Sequence, residues 1–426
     1  MMFALQTRSL AAAMALLLAA FACADDWPQW RGLHGDGSWH ETGLLEVFPP
    51  SGLKVSWRVE VGVGFSSPVV SGGRVYVNDS LLKKPQIKER IHCFDEATGK
   101  EIWTHIYDVK YPDWAFNPDF SGGPTCTPIV CDGRIYTLGA MGDLYCLNAA
   151  EGRVIWSKRL DQEYHTEVFT CRASPLIDSD QLFLHIGGKP SACVVSLDRN
   201  TGKELWRALD EPGAYNRPIL ITAGGQRQLI VWTQASVTAL NPATGKTWWR
   251  IPIATTTNDA NAAPVFHSPY LLVSGLMLKL NDAKPAAKTL WPDSMAVAKR
   301  VLSNTSTPLL QGEYVYSAKS SGHLVCLQAA TGKQIWITDQ VTTLKSGASI
   351  HPTANGDSTL LFNDRGELIR AKLTPAGYQE ISRARLIEPI LPYGGRKVIW
   401  PPPAFANGHV LARNDRELIR ASLVKP

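Results

Sequence analysis

Apolar and polar positions alternate along most of this chain in short runs separated by turns. In TPIVCDGRIYTLGAMGDLYCLNAAEGRVIWSKRL, residues 127–160, the runs TPIV, RIYTLG, DLYCLN and RVIWSKRL are apolar and β-branched, and CDG, AMG and AAEG break them. Strand-forming runs bounded by Gly, Asp and Asn predict four short strands joined by tight turns.

The unit recurs. CFDEATGKEIW ends at Trp103, CLNAAEGRVIW at Trp156, SLDRNTGKELW at Trp206, ALNPATGKTWW at Trp249 and CLQAATGKQIW at Trp336. Fainter copies put Trp57, Trp291 and Ile381 at the same place, so the spacings are 46, 53, 50, 43, 42, 45 and 45 residues and the units number eight. A proline marker keeps the same beat at Ser67-Pro68, Thr127-Pro128, Ser174-Pro175, Arg217-Pro218, Ala263-Pro264, Thr307-Pro308, His351-Pro352 and Pro402-Pro403. Four strands per period of this length predict an all-β chain, an eight-bladed β-propeller of four-stranded antiparallel blades; helical solenoids of similar period need long 3.6-periodic segments that are absent here. In each unit the Gly permits positive φ in the turn before the fourth strand, and the Pro opens the innermost strand, where no ladder donor is lost. The Trp is a flat filler between blades. Seven of the 14 tryptophans occupy this one position, so most of the tryptophan is architectural and not ligand-stacking.

Trp57 sits in a fourth strand with no first three before it, and the C-terminus supplies PAFA, HVLAR and ELIRASL with no fourth after them. The N-terminal strand is therefore expected to complete the last blade, leaving no open sheet edge. Residues 1–24, with Arg8 before the apolar run 10–22 and ACA before DDW, read as a secretory signal cleaved after Ala24; residues 25–426 then form one propeller. Lipidation on Cys23 is the weaker alternative, because AFAC lacks the usual leucine. No other segment is long and apolar enough to span a membrane, so a periplasmic or secreted monomer is expected.

Composition adds little. The formal charge of +5 falls to +4 without Arg8, and the basic residues are scattered apart from KKPQIKER at 83–90, so nucleic acid is not an expected partner. Seven cysteines remain after cleavage, an odd number that leaves at least one thiol unpaired, and the three at one repeat position (Cys93, Cys146, Cys326) read as core. There is no C-x-x-C pair to suggest structural zinc.

The repeated A-x-[DN]-x-x-TGK-x-x-W resembles the pyrroloquinoline-quinone (PQQ) type repeat, and DWPQWRGLHGDG at 26–37 resembles the opening of exported bacterial PQQ-like propellers. The resemblance covers nearly the whole chain after residue 24 and implies the fold more than the function. Of the two kinds of relative it brings in, quinoprotein alcohol dehydrogenases hold PQQ and calcium on the propeller axis. The propeller lipoprotein of outer-membrane barrel assembly carries no cofactor and works by protein contact. The dehydrogenases are longer and carry adjacent cysteines, and no Cys-Cys dipeptide occurs here. A calcium set would have to come from Asp113, Glu167, Asp259 and Asn261.

In a propeller, loops leading into the innermost strands crowd the channel mouth. Those positions give Ser66, Ser67, Thr125, Thr127, Arg172, Tyr215, Asn216, Arg217, Asn261, Asn304, Thr305, His351 and Trp400, with His165 nearby. The ligand candidates are Arg172, Tyr215, Asn216, Arg217, Asn261, His351, His165 and Trp114; the alternative is a ring whose members satisfy one another. Trp114 lies in the aromatic link 107–124, read as a lid, a docking surface or a loop covering its own blade. The sequence reading is a binding or scaffolding propeller with an unidentified protein, small-molecule or glycan ligand at the channel mouth. Its rivals are a PQQ-dependent alcohol or sugar dehydrogenase and a carbohydrate- or polymer-binding propeller without turnover.

Overall fold

A computed structural model describes residues 25–84, 86–116, 122–167, 173–253, 261–293 and 302–425. The eight units fold as eight four-stranded antiparallel sheets in a ring. Blade 1 is Val69–Ser71, Arg74–Lys83, Gln86–Asp95 and Glu101–Val109, innermost strand first. Blades 2 to 7 open with Ile129–Cys131, Leu176–Asp178, Ile219–Ala223, Val265–His267, Leu309–Gln311 and Ile350–Asn355. Blade 8 takes Ala404–Ala406, His409–Arg413 and Glu417–Ser422 from the C-terminus and Val55–Glu60 from the N-terminus. Trp57 pairs with Arg420 and Glu60 with Glu417, so the ring closes through the orphan strand as its sequence predicts. No helix among the described residues is long and apolar enough to cross a membrane.

The repeated phrase builds the blade seams. In blades 1 to 3 the fourth strand carries a β-bulge one residue before its tryptophan partner register resumes, as between Cys93 and Phe94 opposite Trp103. Such a bulge increases local twist and turns the side chain it precedes. The indole reaches the next blade and donates its Nε1–H to the carbonyl three residues before that blade's turn glycine: Trp57 to Glu96, Trp103 to Ala149, Trp156 to Arg199, Trp206 to Pro242 and Trp291 to Ala329, at 2.7–3.2 Å. The ring lies flat on the glycine itself. A methyl group at Gly99, Gly152, Gly202, Gly245 or Gly332 would stand within 2.9 Å of the indole, and each φ is near +72°. Gly in the TGK turn is thus fixed twice, by backbone sign and by the neighbour's tryptophan. Three seams depart from the rule. The blade 5 turn, residues 281–286, has no glycine, and Trp249 donates instead to the Gln228 side chain of its own blade at 2.7 Å. Trp336 donates to the Thr374 carbonyl, but Gly377 stands clear of its ring, and blade 7 has Ile381 in place of the tryptophan.

Behind each tryptophan the second and third strands supply a Tyr and a Cys in blades 1, 2 and 6. Tyr76, Tyr136 and Tyr316 stand 5.9–6.1 Å from Trp103, Trp156 and Trp336. Cys93, Cys146 and Cys326 are fully buried, and burial pushes each thiol well up. They are inert core residues, as their shared position suggests. The seam where the ring closes also carries a buried charge network. Asp79 accepts two hydrogen bonds from Arg90, at 2.7 and 2.6 Å, and faces His92 at 3.1 Å, while Arg413 donates to the carbonyls of Asn78 and Gly62. Despite its burial, the Asp79 carboxyl is held far below the usual range by His92 and Arg90.

Candidate functional site

The prolines that open the inner strands place the preceding residue of every blade against the axis, and in several blades those residues bond to one another. The Ser67 amide donates to Thr127 Oγ1 (3.1 Å), the Thr127 amide to Ser174 Oγ (2.9 Å) and the Ala263 amide to Thr307 Oγ1 (3.0 Å). His351 of blade 7 meets the Trp400 carbonyl at 2.9 Å, which fixes the proton on Nε2, and burial pulls its pKa down to about 4. The hydroxyls at these positions are a girdle joining blades.

What fills the axis was not among the sequence candidates. Residues 27–39 run across the channel at the end carrying the turns from first to second strands. Trp27 exchanges backbone hydrogen bonds with Val70 of blade 1, Pro28 accepts from Val130 of blade 2, and Gly37 and Trp39 bracket Ala354 of blade 7. Trp30 and Arg31 project between these anchors and line an axial chamber with Ser67, Thr307, His351 and Pro402. Arg217 reaches the segment from blade 4. Its guanidinium donates to the carbonyls of Pro175 (3.2 Å) and Trp30 (3.3 Å) and to the Gln29 side chain. Burial and the neighbouring Arg31 charge lower it to about 10. Two glycines make room: a methyl on Gly35 would meet the Arg217 guanidinium at 2.7 Å, and one on Gly37 would overlap that of Arg31. The readable signal was Trp27, Trp30 and Trp39, three tryptophans outside the repeat position, beside the glycines of RGLHGDG.

The sequence candidates divide accordingly. Arg217 and His351 do face the axis, but both are committed to protein partners. Asn216 is wholly buried and gives its amide to the Trp232 carbonyl at 2.8 Å. Tyr215 is half-buried and Asn261 exposed, its amide donating to the Asn304 carbonyl. His165 caps the short helix Leu160–Tyr164 in a left-handed conformation and is exposed. Trp114, 46% exposed, sits in the 3-10 turn Asp113–Phe116, whose Tyr111 and Ala115 neighbours pack with Ile87 and Val109 of blade 1. Arg172 and Asp259 lie outside the described residues.

Of the suggested calcium set, the described carboxylates are exposed and paired with lysines: Asp113 is 94% exposed and 2.7 Å from Lys84, and Glu167 is 66% exposed near Lys189. A metal cage needs converging, partly enclosed carboxylates. Among the described residues no three His, Cys, Asp or Glu stand close enough to share an ion. The adjacent cysteines of the dehydrogenase resemblance are not matched in the sequence, which holds no Cys-Cys dipeptide.

Comparison with known proteins follows the same division. The chain is 23% identical over 290 residues to the outer membrane protein assembly factor BamB of Shewanella oneidensis, covering 62% of this chain and 69% of that protein. It is 24% identical over 203 residues to the dehydrogenase subunit of a quinone alcohol dehydrogenase from Gluconobacter oxydans, covering 45% of this chain but 26% of that subunit. The chain thus spans about a quarter of that dehydrogenase. Among solved structures, the quinohemoprotein alcohol dehydrogenase of Comamonas testosteroni superposes with a TM-score of 0.64 at 14% identity, over 94% of this chain and 81% of that one. A PQQ-repeat profile described as outer membrane protein assembly factor BamB matches residues 87–338 and 279–374, more than half of the sequence, and the chain belongs to that family.

Proposed function

We propose that this chain is an exported, non-catalytic scaffold that holds a protein partner on the face where fourth strands cross to first strands. The observation that carries the reading is Trp114: a large aromatic held 46% exposed on a turn that is itself anchored by buried Tyr111 and Ala115 and by the Lys84–Asp113 pair. Ordered, exposed aromatics on variable loops are the usual anchors of protein interfaces. The exposed, lysine-paired Asp113 and Glu167 support the same reading, as does the likeness to assembly factors over most of their length. The apolar run at 10–22 fits delivery to the cell envelope, with cleavage after Ala24.

A photo-crosslinking residue at position 114 tests this in cells. One discrete adduct from position 114, with none from Gly225 on the opposite turn face, is expected; equal labelling from both overturns it. The dehydrogenase reading, favoured by the TM-score of 0.64, predicts that PQQ with calcium raises the melting temperature and supports dye reduction by alcohols. Neither is expected here.

A further inference from the structure

The axial segment brings the half-buried Arg31, which lines the chamber, near the buried Arg217. Neither makes an ion pair within 4 Å with a described carboxylate, though Arg31 feels the Asp36 charge. Arg217, 4% exposed, has only neutral acceptors: two carbonyls and the Gln29 amide oxygen. Arg31 donates to the Asp36 carbonyl, and no ion pair within 4 Å joins it to any described carboxylate; the Asp36 side chain is engaged instead by the Ser38 amide (2.9 Å) and hydroxyl (2.6 Å). Buried charge normally comes paired, because an unpaired ion in a low-dielectric site costs several kcal/mol. A second, independent feature points into the same space. Ser67, 2% exposed, lines the chamber with Arg31, and its Oγ has no hydrogen-bond partner among the described residues. A buried hydroxyl without a partner is rare in folded proteins.

We propose that the chamber between Arg31 and Ser67 binds a small monovalent anion, a halide or a single carboxylate group, as the missing counter-charge on the propeller axis. Arg31 supplies the charge and N–H donors, Ser67 Oγ–H a directed hydrogen bond, and Arg217 a long-range field. The remaining lining includes Pro352, Pro402 and Pro403, whose rings supply no donors to a hydrated dianion. The bound anion would tie the segment 27–39 to blades 1 and 7, so binding should be read in the stability of the folded chain.

The test uses the whole chain without residues 1–24, at constant ionic strength in sodium gluconate, with chloride, formate or sulfate substituted stepwise. A saturable rise in melting temperature with chloride or formate, but not with sulfate, is expected. Excess 35Cl linewidth should report direct binding, and competition by formate tells a general monoanion site from one that takes halide alone. Ser67→Ala, a small change, should weaken the midpoint about five-fold, the worth of one neutral hydrogen bond. Arg31→Gln should abolish saturation. A rise that is equal for all salts, or unchanged chloride titrations in Ser67→Ala, would overturn the assignment.

Discussion

The indole of Trp206 donates to the Pro242 carbonyl at 2.9 Å and lies against Gly245, where an added methyl would stand 2.5 Å from the ring. One blade's fourth strand and the next blade's turn are therefore a single packing unit. Trp206→Ala should cost about 3–5 kcal/mol by emptying a buried aromatic site. Gly245→Ala should cost about 1–3 kcal/mol through positive φ and the clash. In the double variant the clash disappears, so denaturant titration should find the pair costing clearly less than the sum. Additive costs would mean the two residues do not pack as a unit.

Much of this was readable in the sequence because it is written eight times. The Gly and the Trp, 42–53 residues apart, mark the seam, and the orphan Trp57 strand marks the closure. The axis was not readable in the same way. The place of Arg217 and His351 before a proline is legible, yet their partners Gln29, Trp30 and Trp400 come from segments that obey no repeat. Periodicity predicts where a side chain points and is silent on which non-repetitive segment meets it. Asn216, one residue further from the strand opening, gives its side-chain amide to the Trp232 carbonyl of its own blade, a contact that no repeat marks.

Residues 25–52 do more than lead into the closing strand. Trp27, Trp39, Leu44 and Phe48 join the cluster of blades 7, 8 and 1, and Trp39 packs 5.4 Å from Phe405. Removing residues 25–52 should therefore destabilise the chain severely, approaching the effect of removing 25–62, and Trp39→Ala alone should cost about 3–5 kcal/mol. Melting temperatures of the two truncations compared with the full domain check this; a near-native value for the shorter one would show the segment to be mere cover.

Glu89 sets a pH dependence. Its carboxyl is buried and thereby pushed up to about 7, although Tyr107 and Tyr111 hydroxyls (2.5 Å each) and the Ala140 amide (3.0 Å) donate to it. Unfolded, the group ionises near its ordinary 4.5, so between pH 4.5 and 7 the folded state holds the extra proton. Stability from this group is complete below 4.5 and is lost as pH rises through about 7, by up to about 3 kcal/mol. His185 and His351, each lowered to about 4 by burial, slope the other way, losing stability as pH falls below about 6.5. The difference between wild type and Glu89→Gln isolates the carboxyl: the variant should gain relative stability from pH 5 to 8. A difference that does not change with pH would show that Glu89 is already ionised in the fold.

Arg217, a ligand candidate by its place in the sequence, is 4% exposed and joins blade 3, blade 4 and the axial segment through Pro175, Trp30 and Gln29. Two effects oppose each other on its removal. Arg217→Ala relieves repulsion with Arg31, but it strands one buried acceptor, the Pro175 carbonyl, and two part-buried ones, at a cost of up to about 1–3 kcal/mol each when left unsatisfied. The acceptors outnumber the single repulsion, so a net loss of about 2–4 kcal/mol is expected. Because the bonds to Gln29 and Trp30 are the ones that hold residues 27–39 from blade 4, the loss should appear first there. Limited proteolysis should cut near Leu33 in Arg217→Ala well before the blades open, while wild type resists cleavage at that site. Equal cleavage in both would place the anchoring of the segment wholly at Val70, Val130 and Ala354.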